Sequence, residues 1–169
     1  FLEKKIILGI GRLTKQKNFE LLVNFFLKIE KDYPEYILII LGEGENRHKL
    51  EKIIKDFKLQ NKIYILGHQN NVYKYLKNSK YFILSSLWED PGFVLIEAGY
   101  YRSLIISSNC ESGPKELIKK NNNGILFENN NINNFIKEYQ KYLNLSQEDI
   151  KSMITENLKK VRLFTLFNH

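Results

Sequence analysis

Four side chains in this sequence have the chemistry and the setting to handle a charged ligand. Arg12 and Lys17 stand in the stretch Gly9-Ile10-Gly11-Arg12-Leu13-Thr14-Lys15-Gln16-Lys17-Asn18, between a short apolar run and a segment of helical period. A helix start presents free amides and the positive end of its dipole, and cations beside it add to the attraction for an anion. The spacing alone fits two solvated basic residues in a lysine-rich chain equally well. Glu89 and Glu97 have seven residues between them in Ser85-Ser86-Leu87-Trp88-Glu89-Asp90-Pro91-Gly92-Phe93-Val94-Leu95-Ile96-Glu97-Ala98. Glu89 falls in a loop stiffened by Pro91 and opened by Gly92, whereas Glu97 falls within an otherwise apolar helix. A carboxylate there should not be buried without a partner. The amides of Gly92, Phe93 and Val94 would form a second anion-binding helix start. Two such starts with Arg12 and Lys17 suit a diphosphate, and Glu97 suits a pair of ribose hydroxyls.

Other chemistries find less support. A dinucleotide fingerprint needs a third glycine where Thr14 stands, and the acidic Glu43 is separated from the second apolar run by Gly42. No Walker phosphate loop is present. The one cysteine, Cys110, has no His or acidic partner at motif spacing; it excludes a disulfide framework or cysteine metal cluster and fits a reducing compartment. His48 sits on a polar helix face and His169 at the chain end, neither in a metal-binding pattern. His68, after Gly67, is either near the ligand or simply exposed. Trp88, Tyr100 and Tyr101 read as packing residues, with Trp88 bordering the candidate pocket.

These loops need a scaffold, and the apolar pattern supplies one. Short apolar runs at Lys5–Ile10, Tyr36–Leu41, Lys62–Leu66, Tyr81–Leu84, Leu104–Ser107 and Ile125–Phe127 read as buried strands. Helical periods separate them. The first helix starts near Asn18, which can cap it, and turns Leu21, Leu22, Phe25, Phe26 and Ile29 inward. The second, from about Asn46 to Lys58, turns Leu50, Ile53, Ile54 and Phe57 inward. Shorter helices cover about Val72–Asn78, Phe93–Tyr101 and Pro114–Lys119, and further helical segments follow at Ile132–Leu143 and Gln147–Leu163. Repeated strand–helix units predict right-handed crossovers and an α/β fold: a Rossmann-like, doubly wound, parallel six-stranded sheet with helices on both faces. Ligands of such sheets bind where the strands' carboxyl ends meet the loops, which is where the unusual residues lie. The chain reads as one domain over residues 1–169, without internal repeat or linker.

Composition bounds the partners. The 169 residues are 43% hydrophobic and 27% charged, with no apolar run of transmembrane length. The formal net charge is +7, but lysine, asparagine and isoleucine are abundant and alanine almost absent, a skew expected of an AT-rich genome. A lysine-rich solvated surface accounts for much of the charge; a basic nucleic-acid-binding or purely structural α/β module is the alternative. The asparagine runs Asn121-Asn122-Asn123 and Asn129-Asn130-Asn131 read as loops shaped by the same bias.

In order along the chain, Gly11-Arg12-Leu13 with Lys17-Asn18, then Leu41-Gly42-Glu43-Gly44, then Glu89 and Glu97, resemble the donor-binding C-terminal half of a GT-B glycosyltransferase, in the retaining family 4 group known as glycosyl transferases group 1. The resemblance runs from about Lys4 to Phe127 and more loosely to the end, and Ser108-Asn109-Cys110-Glu111-Ser112-Gly113-Pro114-Lys115-Glu116 fits it too. It implies that Arg12 and Lys17 neutralise a donor diphosphate as the sugar leaves, with Glu89 on sugar hydroxyls and Glu97 on the ribose. The amides of Gly92, Phe93 and Val94 would touch sugar and phosphate. Gly11 would also contact the donor, and Gly42, Glu43 and Gly44, with the backbone near Val72, would line the base. The usual Glu-Gly-Phe-Gly reads Glu89-Asp90-Pro91-Gly92 here, which leaves the donor sugar open.

The resemblance further implies a nucleotide-sugar donor, UDP-linked, with no metal or other cofactor and no nucleic acid. The acceptor, a glycan or lipid-linked sugar, would be held by an N-terminal half preceding Phe1, and Val161 to His169 would lead back toward that half. The enzyme would act in glycan or polysaccharide synthesis in the cytoplasm, at most peripherally attached to the membrane.

Overall fold

The computed structural model describes residues 4–90, 92–119 and 122–166. Six strands, β1 (Lys5–Ile10), β2 (Tyr36–Leu41), β3 (Ile63–Ile65), β4 (Ser79–Leu84), β5 (Leu104–Ser108) and β6 (Ile125–Phe127), form one sheet in the order β3-β2-β1-β4-β5-β6. Every ladder is parallel. A parallel sheet is buried on both faces, so its strands read as unbroken apolar runs; all of β2 is buried. Side chains alternate between two cores. Ile7, Leu38, Ile40, Tyr81, Ile83 and Ile106 face the first, and Leu8, Ile37, Ile39, Phe82, Leu84 and Ile105 face the second.

Helices α1 (Phe19–Ile29), α2 (Arg47–Asp56) and α6 (Ile132–Leu143) cover the first core. Helices α3 (Tyr73–Asn78), α4 (Phe93–Tyr100) and α5 (Pro114–Leu117) cover the second. In the first core, Phe135 stacks between Phe25 at 3.9 Å and Phe127 at 4.0 Å, and the Tyr36 and Tyr81 hydroxyls bond each other at 3.0 Å. The Tyr142 hydroxyl is buried with no hydrogen-bond partner among the described residues. The last helix, α7 (Gln147–Leu166), inserts Ile150 and Met153 into the first core and ends against α4. There Gly99 allows close approach: a Cβ on it would stand 2.7 Å from Val161.

The strands and helices lie within a few residues of the sequence reading, but several local expectations fail. Phe57 is 60% exposed rather than inward, because α2 has already ended and Phe57 is its C-terminal cap. Asn18 precedes α1 in the left-handed region (φ 47°) and makes no capping bond; its amide donates to Asn130 Oδ1 instead, at 3.2 Å. Left-handed backbone suits asparagine, so the residue type was right for a different reason. The described residues of the asparagine runs lie in loops, yet they are tightly bonded. Asn123 bridges the Lys119 amide and the Leu117 carbonyl, Asn131 caps α6 by accepting from the Asn134 amide, and Asn129 donates to the Leu87 carbonyl. Trp88 and Tyr100 are about half exposed rather than packed. Pro91, expected to stiffen its loop, lies outside the described residues, as do Asn121, Phe1 to Glu3 and Phe167 to His169.

Candidate functional site

β1 is flanked by β2 on one side and β4 on the other, so the chain changes winding direction between β1 and β4. Loops leaving the carboxyl ends of two such strands diverge and open a crevice. The loop after β1 carries Gly11, Arg12 and Lys17, and the loop after β4 carries Ser85, Ser86 and Glu89. The two are stapled together. The Leu87 amide donates to the Gln16 carbonyl at 2.8 Å, Gln16 Nε2 to the Trp88 carbonyl at 3.1 Å, and Ser85 Oγ to the Lys17 carbonyl at 2.9 Å.

Across this seam Lys17 Nζ donates to both oxygens of Glu89, at 2.6 and 2.8 Å. The two residues are 72 positions apart in sequence, and their side chains are 15% and 3% exposed. A carboxylate so buried needs hydrogen-bond donors around it, and Ser86 Oγ supplies a further one. Gly11 gives the lysine its path: a Cβ there would lie 3.2 Å from the Lys17 Cδ and Cε. Arg12 projects from the same loop, exposed, with no side-chain hydrogen bond or ion pair among the described residues.

The loop after β2 closes on the same edge. The Leu13 amide donates to the Glu43 carbonyl at 2.8 Å, and the Gly42 amide to the Gly67 carbonyl at 2.8 Å. Gly42 is obligatory, since at φ 146° its Cβ would fall 1.9 Å from the Gly11 carbonyl oxygen. These contacts put Gly42, Glu43 and Gly44 beside the loop that runs to Val72, the residue that precedes α3 and packs against the second core. The Glu43 side chain is half exposed and its carboxylate is bonded to Arg47. His68 is exposed in the loop that follows β3.

Helix α4 begins at Gly92, whose left-handed backbone (φ 77°) turns the chain from the Glu89 loop into the helix. Phe93 is exposed, Val94 is half-buried on the second core, and Glu97 is half-buried one turn along. Burial pushes the Glu97 carboxyl above the usual carboxylate range, and burial is the sole cause. It has no side-chain partner among the described residues, although the sequence argued that a glutamate on this apolar helix should have one. The structure therefore joins Lys17 to Glu89 and, among the described residues, leaves the side chains of Arg12 and Glu97 without polar partners.

The family model described as glycosyl transferases group 1 matches residues 1–161. The chain belongs to that family. It is 42% identical over 118 residues, 70% of its length, to an uncharacterized glycosyltransferase of Methanocaldococcus jannaschii, covering 29% of that protein. It is 32% identical over 161 residues, 95% of its length, to the N-acetylgalactosamine-N,N'-diacetylbacillosaminyl-diphospho-undecaprenol 4-alpha-N-acetylgalactosaminyltransferase of Campylobacter jejuni, covering 42% of it. This glycosyl transferases group 1 chain thus spans less than half the length of either relative. Its fold superposes with TM-score 0.86 on a mutant TarM of S. aureus crystallised with fondaparinux, alpha-GlcNAc-glycerol and UDP, over 99% of this chain and 36% of that one, at 24% identity.

In this group 1 glycosyltransferase domain the sequence reading singled out charged residues but not the polar side chains bonded around them. Ser85, Ser86, Ser108 and Gln16 hold the site together, and nothing in spacing marks them. A weak signal existed: polar residues directly after an apolar strand are either turn formers or buried bonds. No group of three His, Cys, Asp or Glu residues able to hold a metal occurs among the described residues, and no helix there is long and apolar enough to cross a membrane.

Proposed function

We propose that this chain is the donor-binding domain of an enzyme that transfers a hexose from UDP to an acceptor hydroxyl, with retention at the anomeric carbon. The observation that carries the reading is the Lys17–Glu89 pair, closed across the switch point of a glycosyl transferases group 1 fold. Lys17 and Arg12 neutralise the diphosphate, whose charge grows as the sugar bond breaks. Fixed cations and helix amides stabilise such charge without needing to reorganise. Glu89, whose carboxylate is 3% exposed while Lys17 holds both its oxygens, takes sugar hydroxyls as Lys17 turns to the diphosphate, and the amides of Gly92, Phe93 and Val94 face sugar and phosphate. Glu97, desolvated and unpartnered, takes the paired ribose hydroxyls. The backbone at Gly42, Glu43, Gly44 and Val72 lines the base.

UDP is favoured by its presence in the TarM crystal, a structure with the same fold. The acceptor, a glycan or lipid-linked sugar, belongs to an N-terminal half outside this chain, so residues 1–169 bind donor without turning it over. Synthesis on the cytoplasmic side of a membrane suits such an acceptor, and a lipid-linked acceptor is what the name of the Campylobacter relative describes.

The test is a melting screen of the chain with UDP, other nucleoside diphosphates and a single-stranded oligonucleotide. A ligand at 100 times its dissociation constant adds about 2.7 kcal/mol. Selective stabilisation by UDP is expected. Stabilisation by the oligonucleotide and not by any nucleotide would replace this reading with a nucleic-acid-binding one. In the full-length enzyme Lys17→Ala should lower kcat on the order of 100-fold, while Glu97→Gln should chiefly raise KM. Wild-type turnover by Lys17→Ala would refute the phosphate role.

A further inference from the structure

Ser86 follows β4 and is fully buried. Its hydroxyl donates to Glu89 Oε1, the same oxygen that accepts from Lys17 at 2.6 Å. Its own carbonyl is fixed from the next strand, where the buried Ser108 Oγ donates to it at 2.6 Å. Ser85, one residue earlier, holds the Lys17 carbonyl. Three hydroxyls thus brace the pair, but only that of Ser86 bonds the charge itself.

We propose that Ser86 is the positioning residue that makes Lys17 exchangeable between Glu89 and a ligand phosphate. The inference rests on the nucleotide-sugar reading above. Lys17 is the outer partner, 15% exposed, and Glu89 the inner one at 3%. When the ammonium turns toward a phosphate oxygen, Glu89 stays behind in a site that water barely reaches. With Ser86 it retains a charge-assisted hydrogen bond during that exchange. Without Ser86 the abandoned carboxylate would have lost both side-chain donors, and a buried anion in that state is strongly disfavoured. The lysine would then stay on Glu89, and the phosphate would be bound less well. Ser86 does this without touching the ligand.

The experiment is calorimetric titration of UDP into the chain and its variants, with a melting curve for each. Ser86→Ala should weaken UDP binding on the order of tenfold, the cost of leaving a buried acceptor unpaired. Ser86→Thr, which keeps the hydroxyl, should restore most of the affinity. In a Glu89→Gln background Ser86→Ala should change the UDP affinity little, because no buried charge is left to support. Should Ser86→Ala fail to fold, Ser86→Cys is read in the same way, since a thiol is a poor donor. A Ser86→Ala chain that melts lower yet binds UDP as the wild type does would overturn the proposal and reduce Ser86 to packing. Undiminished binding by Ser86→Ala alongside a clear loss in Lys17→Ala would leave the nucleotide reading standing and remove this one. Absence of UDP binding by the wild type would remove both.

Discussion

Replacing Lys17 with alanine tests the central contact without any substrate. The substitution deletes both bonds from Nζ to Glu89 and leaves a carboxylate with a side chain 3% exposed. Removing one partner of a buried pair costs about 3–5 kcal/mol, most of it the penalty on the charge left behind. Two features place this case at the lower end. Ser86 still donates to Glu89, and the lysine sits at the rim of the crevice at 15% exposure, so some water follows its removal. A loss of about 3 kcal/mol corresponds, for a domain of this size, to a fall in Tm of about 6–12 °C. Calorimetry on the ligand-free chain measures it. The double variant Lys17→Ala with Glu89→Gln should regain most of the loss, because a neutral amide leaves no stranded charge. The loss should also persist at high salt, since a buried pair is screened little. If Lys17→Ala melts within about 2 °C of the wild type, Glu89 does not depend on the lysine and the crevice is open to water.

Glu97→Gln should raise Tm slightly at neutral pH. The folded-state carboxyl is raised above its unfolded value, so the native state holds its proton longer and wild-type stability falls as pH rises through that window. The advantage of glutamine should therefore vanish below the ordinary carboxylate range, and an advantage that grew in acid would contradict the assignment. Gly42→Ala should destabilise by at least about 2 kcal/mol, since strained left-handed backbone is compounded by a Cβ that would meet the Gly11 carbonyl at 1.9 Å; urea titration reads it directly. Tyr142→Phe should be neutral or stabilising because it removes a buried hydroxyl without a partner, whereas Tyr36→Phe, which breaks the bond to Tyr81, should cost about 1 kcal/mol. Equal effects in the two variants would mean the hydroxyls are equivalently bonded.

What could be read in advance follows a physical divide. Strands buried on both faces must be apolar throughout, so Tyr36–Leu41 declared itself from composition alone. Lys17 and Glu89 stood out through the family resemblance of their two loops, since spacing alone fitted solvated charges equally well. Their mutual bond was not legible, since it spans 72 residues and depends on which strands become neighbours. Ser86 and Ser108 were invisible for a related reason: a serine has the same sequence signature whether its hydroxyl meets water or a buried carboxylate. Phe57 was misread because period assigns faces only as far as the helix lasts, and α2 stops one residue earlier. Asn18 was correctly placed at the head of α1, but its bond partner, Asn130, is 112 positions away.

The seam between β1 and β4 also has a kinetic meaning. Residues 5–65 can wind β1, β2 and β3 through local crossovers, and residues 79–127 can do the same for β4, β5 and β6. Each half closes only short loops, whereas joining them ties together segments some 70 residues apart, and non-local closure of that kind slows folding. The crevice exists only after that joining, so its contacts report the final step of assembly. Amide exchange on β1 and β4 should accordingly track global unfolding, and a nucleotide seated across the seam would act as a clamp on the two halves. By the same logic, a chain cut in the loop between β3 and α3 is a natural candidate for reassembly from two pieces, with the ligand driving their association.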